Sequence, residues 1–572
     1  MRAMTLVRGV PRAALPVPRR FPLFRHAGAP VASPVFAGAS RRVFSASAAS
    51  ATAAPAGRSG RSVLFVGFLW PEASSSAAGV RTMSLLRAFQ SWGWRVHYLA
   101  CARPNEHTDR LEASGVRTYH VAPNRGADFD AALAAAAPDA VVFDRFTAEE
   151  AFSFRVRAAR PNAARVLDMQ DLHALRYARH AALKRALEAT TKKSSGDGDA
   201  PRLNPVSAAL AAMPEAGDEH LSRELASVHR CDLSLVCSPV ELALLADRFR
   251  VPASKLVPAS FFCEEGEEEE AAPGFDDRHG FVTIGTFYHP PNVDAVRWMR
   301  HEVWPLIRAE LPAATMRVYG AYPTEAVRQL EDEKGGFLVK GFAPTVAGAM
   351  RDARVLLAPL RFGAGIKGKI VDAWSLGLPV VTTPVGAEGM LPPREFSEVP
   401  LDATKTSDAQ KNDWGGRWCA ADARALARDA VELHEDREAW AKARRRGAEL
   451  VRELFPAEAN LARVRDAVEA LLGEPAEGFA DEEADPFVVA EATTPRSGLE
   501  RARARDYVGA ALWHHTARST EYFSRWIEMK ETGRESSERE KRAGPEAAAE
   551  AREGAPLGVR GVGVEADADA GR

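Results

Sequence analysis

Cysteine is scarce in this chain. Its 572 residues hold five, and none of Cys101, Cys231, Cys237, Cys263 and Cys419 forms a C-x-x-C pair. That spacing excludes a disulfide scaffold and a clustered zinc site. No uninterrupted apolar run approaches the roughly 18 residues that a membrane span requires. Net charge is nearly absent as well: 75 Lys and Arg against 77 Asp and Glu leave −2. So balanced a chain has no global attraction to nucleic acid. Acidic residues are missing altogether before Glu72, where ten arginines stand among Ala, Ser and Pro. This is the composition of an organelle transit peptide, cationic and unfolded for import. Arg42-Val-Phe-Ser45 also resembles a mitochondrial processing site. Residues 1–60 are therefore expected to be a presequence for a mitochondrion or a plastid, whose signals overlap in composition.

What is present is ordinary for a globular protein, at 46% apolar and long enough for two to four domains. Ser62-Val-Leu-Phe-Val-Gly67 opens a folded region as a buried strand. Leu85, Leu86 and Phe89 follow at helical spacing. The strand–helix alternation recurs through Ala140–Asp144, Ala164–Asp168 and Asp232–Cys237, predicting a doubly wound parallel sheet over residues 61–262. Residues 192–219, rich in Gly, Ser, Pro and Ala, read as a surface insertion. Within it Asp197-Gly198-Asp199 mimics a metal-binding D-x-D but has no strand before it. An acidic linker, 263–278, precedes a second Rossmann-like unit, 279–472, whose strands start at Phe281, Met316, Phe337, Val355 and Pro379. A loop and an amphipathic helix with Trp513 and Trp526 fill 473–530, and the charged tail 531–572 is expected to be disordered.

Ligands of open α/β sheets sit beyond the carboxyl ends of the strands, where glycines let backbone amides approach phosphate. Three places qualify. Gly79 and Arg81 open the first helix, and Gly285-Thr286 follows the first strand of the second unit. The third, Leu360-Arg-Phe-Gly-Ala-Gly-Ile-Lys-Gly-Lys-Ile-Val-Asp372, is the richest. There Gly363 and Gly365 permit a tight turn, and Lys367 and Lys369 open a helix whose dipole favours an anion. Arg361 offers a fork of donors suited to a diphosphate, and Asp372 a carboxylate for ribose or sugar hydroxyls.

The stretch from Phe281 to Met390 resembles the donor-binding half of glycosyltransferase family 4. The matching residues are Gly285-Thr-Phe-Tyr-His-Pro-Pro-Asn-Val-Asp294, Trp304-Pro305, Val318-Tyr-Gly320, Lys340-Gly341, Ala358–Lys369, Asp372–Thr383 and Gly386-Ala-Glu-Gly389. The first domain matches more loosely through Ser76–Arg81. The resemblance implies the GT-B architecture, two Rossmann-like domains facing a cleft. It also implies a nucleotide-sugar donor clamped between them and no metal or other cofactor. The role of a metal then falls to Arg361, Lys367 and the Gly363–Gly365 turn. Retaining members carry two glutamates spaced E-x(7)-E; here these positions hold Ala364 and Asp372, and Glu388 is placed to supply a carboxylate from the next loop. Where the family often reads H-D, this chain has Gln170-Asp171, with His173 two residues on.

The expected function is a glycosyl transfer from a nucleotide-diphosphate sugar to a glycan, lipid or small-molecule acceptor. A catalytically silent module that binds nucleotide sugar or a partner is the first alternative, favoured by Ala364 and Gln170. A nucleotide-sugar epimerase shares the fold but would need a cluster of acidic and histidine residues around the sugar, which the sequence does not show.

Overall fold

The computed structural model describes residues 60–123, 125–192, 204–215, 217–264, 273–391, 413–419, 422–473 and 498–504. Residues 1–59 of the expected presequence, Asp197–Asp199, half of the acidic linker, the expected Trp513–Trp526 helix and the tail lie outside the described residues. Two parallel sheets are built, each packed between helices. The first holds β1 (Ser62–Gly67), β2 (Arg95–Ala100), β3 (Arg117–His120), β4 (Ala140–Asp144), β5 (Ala164–Asp168), β6 (Leu233–Val236) and β7 (Leu256–Pro258), in the order β3-β2-β1-β4-β5-β6-β7. The second holds β8 (Phe281–Ile284), β9 (Met316–Tyr319), β10 (Phe337–Gly341), β11 (Val355–Ala358), β12 (Val380–Thr382) and β13 (Gly416–Trp418), in the order β10-β9-β8-β11-β12-β13. Strand order reverses at β1 and again at β8, the switch points where such sheets open a crevice.

The continuous apolar strands follow from burial on both faces. Val63, Phe65 and Val96 face one core, Leu64, Val66 and Leu99 the other. Each such side chain contributes about 1.5–3 kcal/mol by leaving water. The first helix, Ala77–Ser91, starts where the Ser76 hydroxyl accepts the Gly79 amide proton. Gly79 itself is a packing requirement: a Cβ there would lie 2.4 Å from the backbone of Glu72.

Two parts of the domain plan differ from the sequence reading. The 192–219 segment is not all surface insertion. Its helix Pro205–Ala211 buries Val206 and Leu210 against Ala295, Leu360 and Val385 of the second domain. Alternating small residues had hidden an apolar face only two turns long. The helix Ala457–Leu472, assigned by its position to the second unit, returns to the first. Val464, Val468 and Leu471 join the core of the first sheet, and Arg503 of the helix Gly498–Ala504 pairs with Asp232 at 2.8 Å. Helical periodicity shows that a face is apolar but not which sheet it covers. Among the described residues, no helix is long and apolar enough to cross a membrane.

Candidate active site

A cavity of about 320 Å³ lies at the carboxyl ends of both sheets, walled by both domains. From the first domain come residues 73–78, where a loop enters the first helix, with Arg81, Arg145, Gln170, Asp171, His173 and Arg176. The second contributes Gly285, Thr286, His289, Asn292, Phe342 and the turn from Gly363 to Lys369, with Asp372. The sequence thus named three loops far apart in the chain that the fold brings to one cleft.

The turn after β11 is shaped by glycine. Gly365 adopts φ +67°, and a Cβ on it would lie 2.9 Å from the Asp171 Cβ of the other domain. The chain then enters the helix Gly368–Ser375, with Lys367 at its N-cap. Lys367 is buried, and its Nζ donates to the Gly365 carbonyl at 2.6 Å. Burial lowers its pKa, opposed by nearby Glu388 and Glu241. Lys369 is half-buried and donates to the Asn292 side-chain oxygen at 2.7 Å. Burial alone brings its pKa down to about 8. Asp372, further along the same helix, is pushed up to about 7 by burial.

On the facing wall Asp171 is the focus. Burial disfavours its charge, but His173, Arg176 and His289 outweigh that and hold its pKa at about 2. Arg176 Nε lies 3.1 Å from one Asp171 oxygen and His173 Nδ1 3.4 Å from the other. His173 is held above the usual histidine range: burial opposes its charge, and Asp171 and Glu224 overcome it. The helix that His173 begins is capped from a distance, for Glu224 accepts the His173 and Ala174 amide protons at 2.9 and 2.6 Å. His289 goes the other way, to about 4, through burial and the adjoining Arg176. Two wall residues are strained. Gln170 and Arg145 have φ of +61° and +69°, a conformation costing about 1–3 kcal/mol at non-glycine residues and concentrated at functional sites. Gln170 is fixed by donating to Asp168 at 2.8 Å and Asp144 at 3.2 Å.

Three sequence candidates are placed elsewhere. Arg361 does not line the cavity: its fork grips Asp294 at 2.9 and 2.5 Å and lies over the Trp298 ring. A carboxylate brought in by the fold took the arginine that the motif offered to phosphate. Glu388 sits behind the turn, bonded twice at 2.6 Å to Arg179, whose side chain is fully buried. Gly79, in the first turn of the first helix, packs against the Glu72 backbone, as described above. Arg81 lines the cleft but is 1% exposed and pairs with Asp168 at 3.0 Å, a support rather than a contact surface. Sequence reasoning missed His289, Asn292 and Glu241. The first two stood inside the quoted Gly285–Asp294 segment, and Glu241 follows β6 with no local signal.

A comparison with curated proteins returns no match. Residues 278–436 match the family model described as glycosyl transferases group 1. TarM of S. aureus, solved as a variant with fondaparinux, alpha-GlcNAc-glycerol and UDP, superposes with a TM-score of 0.50 at 9% identity, over 71% of this chain and 100% of that one. HepE of Anabaena, in complex with UDP and glucose, gives 0.49 at 11% identity over 72% and 100%. The sucrose-phosphate synthase of Thermosynechococcus elongatus gives 0.48 at 15% over 72% and 99%. The two facing parallel-sheet domains are the GT-B architecture. The stretch that matches the group 1 glycosyl transferase model, residues 278–436, lies in the second domain, and the chain is a transferase.

Proposed function

We propose that the chain moves a sugar from a nucleoside-diphosphate sugar to an acceptor hydroxyl, with retention at the sugar carbon and without a metal. The observation that carries this reading is Lys369. It is a desolvated cation at a helix N-terminus, facing the cleft, and among the described residues its partner is the neutral Asn292 side chain. Such a cation is disfavoured by burial and by the helix dipole unless an anion joins it. A diphosphate at this place meets Lys369, the Lys367 end of the turn and the first free amides of the helix. The apolar wall of Ala321, Phe342 and Val346 suits a base. UDP, the nucleotide in the TarM structure, is the first candidate to test.

Transfer breaks the bond from the sugar C1 to the diphosphate oxygen and forms one from C1 to the acceptor oxygen. The acceptor proton passes to the departing diphosphate. Charge grows on the diphosphate as it leaves, so the lysine and amide contacts strengthen in the transition state. Asp171, held ionised by His173 and Arg176, faces the positive charge that develops on the sugar. Asp372 is placed to accept hydroxyl protons of ribose or sugar.

The test is release of free nucleoside diphosphate from a panel of UDP-, GDP- and ADP-sugars, with and without EDTA. Release that persists in EDTA is expected. Binding without release identifies a silent module, and loss of release on chelation defeats the metal-free mechanism.

A further inference from the structure

The turn that carries Lys367 holds itself weakly. Gly363 to Ile366 belong to no helix or strand, and the internal Lys367–Gly365 bond is the turn's own brace. Its other bonds come from the opposite domain. Arg179, on the helix His173–Lys192, donates to the Gly363 carbonyl at 2.9 Å. Glu241, on the short helix Pro239–Ala243 after β6, accepts the Gly365 amide proton at 2.6 Å. The same carboxyl accepts the Leu172 amide, so it ties the turn to the loop that carries Asp171. The contact surface is backbone against side-chain stubs: a Cβ on Gly368 would come within 2.4 Å of the Ala77 Cβ. Glu388 completes the cluster from the second domain by clamping the remaining edge of Arg179.

We propose that the first domain positions the donor turn across the cleft, through Glu241 and Arg179, so that the shape of the diphosphate site is set by side chains of both domains. This rests on the reading of the cleft as the donor site. Glu241 and Arg179 are positioning residues: neither contacts the diphosphate, and each fixes a backbone group of the turn that does. A glycine turn freed of these bonds samples many conformations, and the ordering cost is then charged against donor binding. Glu241 acts as a hydrogen-bond acceptor, so glutamine, which keeps an oxygen at the same place, substitutes for it. Asp171, Lys367 and Arg179 are the charged groups that face it.

The experiment is calorimetric titration with UDP, GDP and ADP of the full chain, of Glu241→Gln and of Glu241→Ala, each checked for an intact melting transition. Glu241→Ala should bind the preferred diphosphate roughly tenfold more weakly, the scale of one buried hydrogen bond left unmade. Glu241→Gln should stay within about threefold of the parent. Should Glu241→Ala fail to fold, the pair Arg179→Met with Glu388→Gln removes the other brace as a neutralised ion pair, with Lys367 still facing Glu241 and Asp171, and should show the same loss. Equal affinity in parent and Glu241→Ala overturns the proposal, as does a Glu241→Gln variant as weak as alanine, since that would mean charge and not the bond matters. If the parent binds none of the three diphosphates, the donor-site reading itself has failed, whatever the variants do.

Discussion

Replacing Lys369 by methionine should move stability and donor binding in opposite directions. The methionine keeps the length of the stem but removes the charge. A lysine held at about 8 instead of the usual 10.5 carries a folding cost of up to about 3 kcal/mol at neutral pH. The sign follows from linkage. The depressed pKa means the charged form is the disfavoured one in the folded state, so the cost is present below pH 8 and vanishes above the unfolded value. The helix dipole adds to it, because a cation at the first turn opposes the amides there. Removing it should therefore stabilise the ligand-free protein by about 1–3 kcal/mol, a rise of a few degrees in Tm. The same change deletes one charge-assisted bond to the diphosphate, worth about 1.5–3 kcal/mol, and so weakens UDP or its preferred counterpart by roughly 10- to 150-fold. Differential scanning calorimetry and titration calorimetry on one preparation read both quantities. A variant that is less stable than the parent, or that binds the diphosphate unchanged, refutes the assignment of this lysine to the anion.

Lys369 also sets a pH dependence: diphosphate affinity should decline as pH rises beyond about 8, and titration calorimetry should find that decline absent in Lys369→Met. Arg361→Ala should leave donor kcat/KM within a few-fold of the parent while costing about 1–3 kcal/mol of stability, because it strands the Asp294 carboxylate; urea unfolding beside a kinetic assay separates the two. Asp171 is held at about 2 by its cationic neighbours, so its carboxylate contributes on the order of 2–3 kcal/mol, present above pH 4 and lost as pH falls toward 2. Asp171→Asn should remove that contribution at neutral pH and lower kcat by roughly 10²-fold or more, seen in denaturation and steady-state rates.

Much of this was legible in the sequence because it is local. Short β-branched runs ending in glycine gave strands, and the Gly363–Lys369 pattern gave a turn opening a helix at the cleft. Lys367, Lys369, Asp372, Asp171 and His173 all reached the cavity wall, since each lies in the loop or helix start that follows a strand's carboxyl end and topology fixes where such ends go. What failed was long-range pairing. Arg361 found Asp294, Glu388 found Arg179 and the turn found Glu241 through partners 67, 209 and 124 residues away, distances at which no periodicity carries information. The return of the helix Ala457–Leu472 to the first sheet was hidden for the same reason.

The central claim, a donor diphosphate at the start of the helix Gly368–Ser375, is tested most directly by a crystal structure with the nucleoside diphosphate that titration selects. The account predicts phosphate oxygens within hydrogen-bonding distance of Lys369 Nζ and of the amides at the helix start, with the base against Phe342. A diphosphate bound elsewhere, with Lys369 still resting on Asn292 alone, would contradict it.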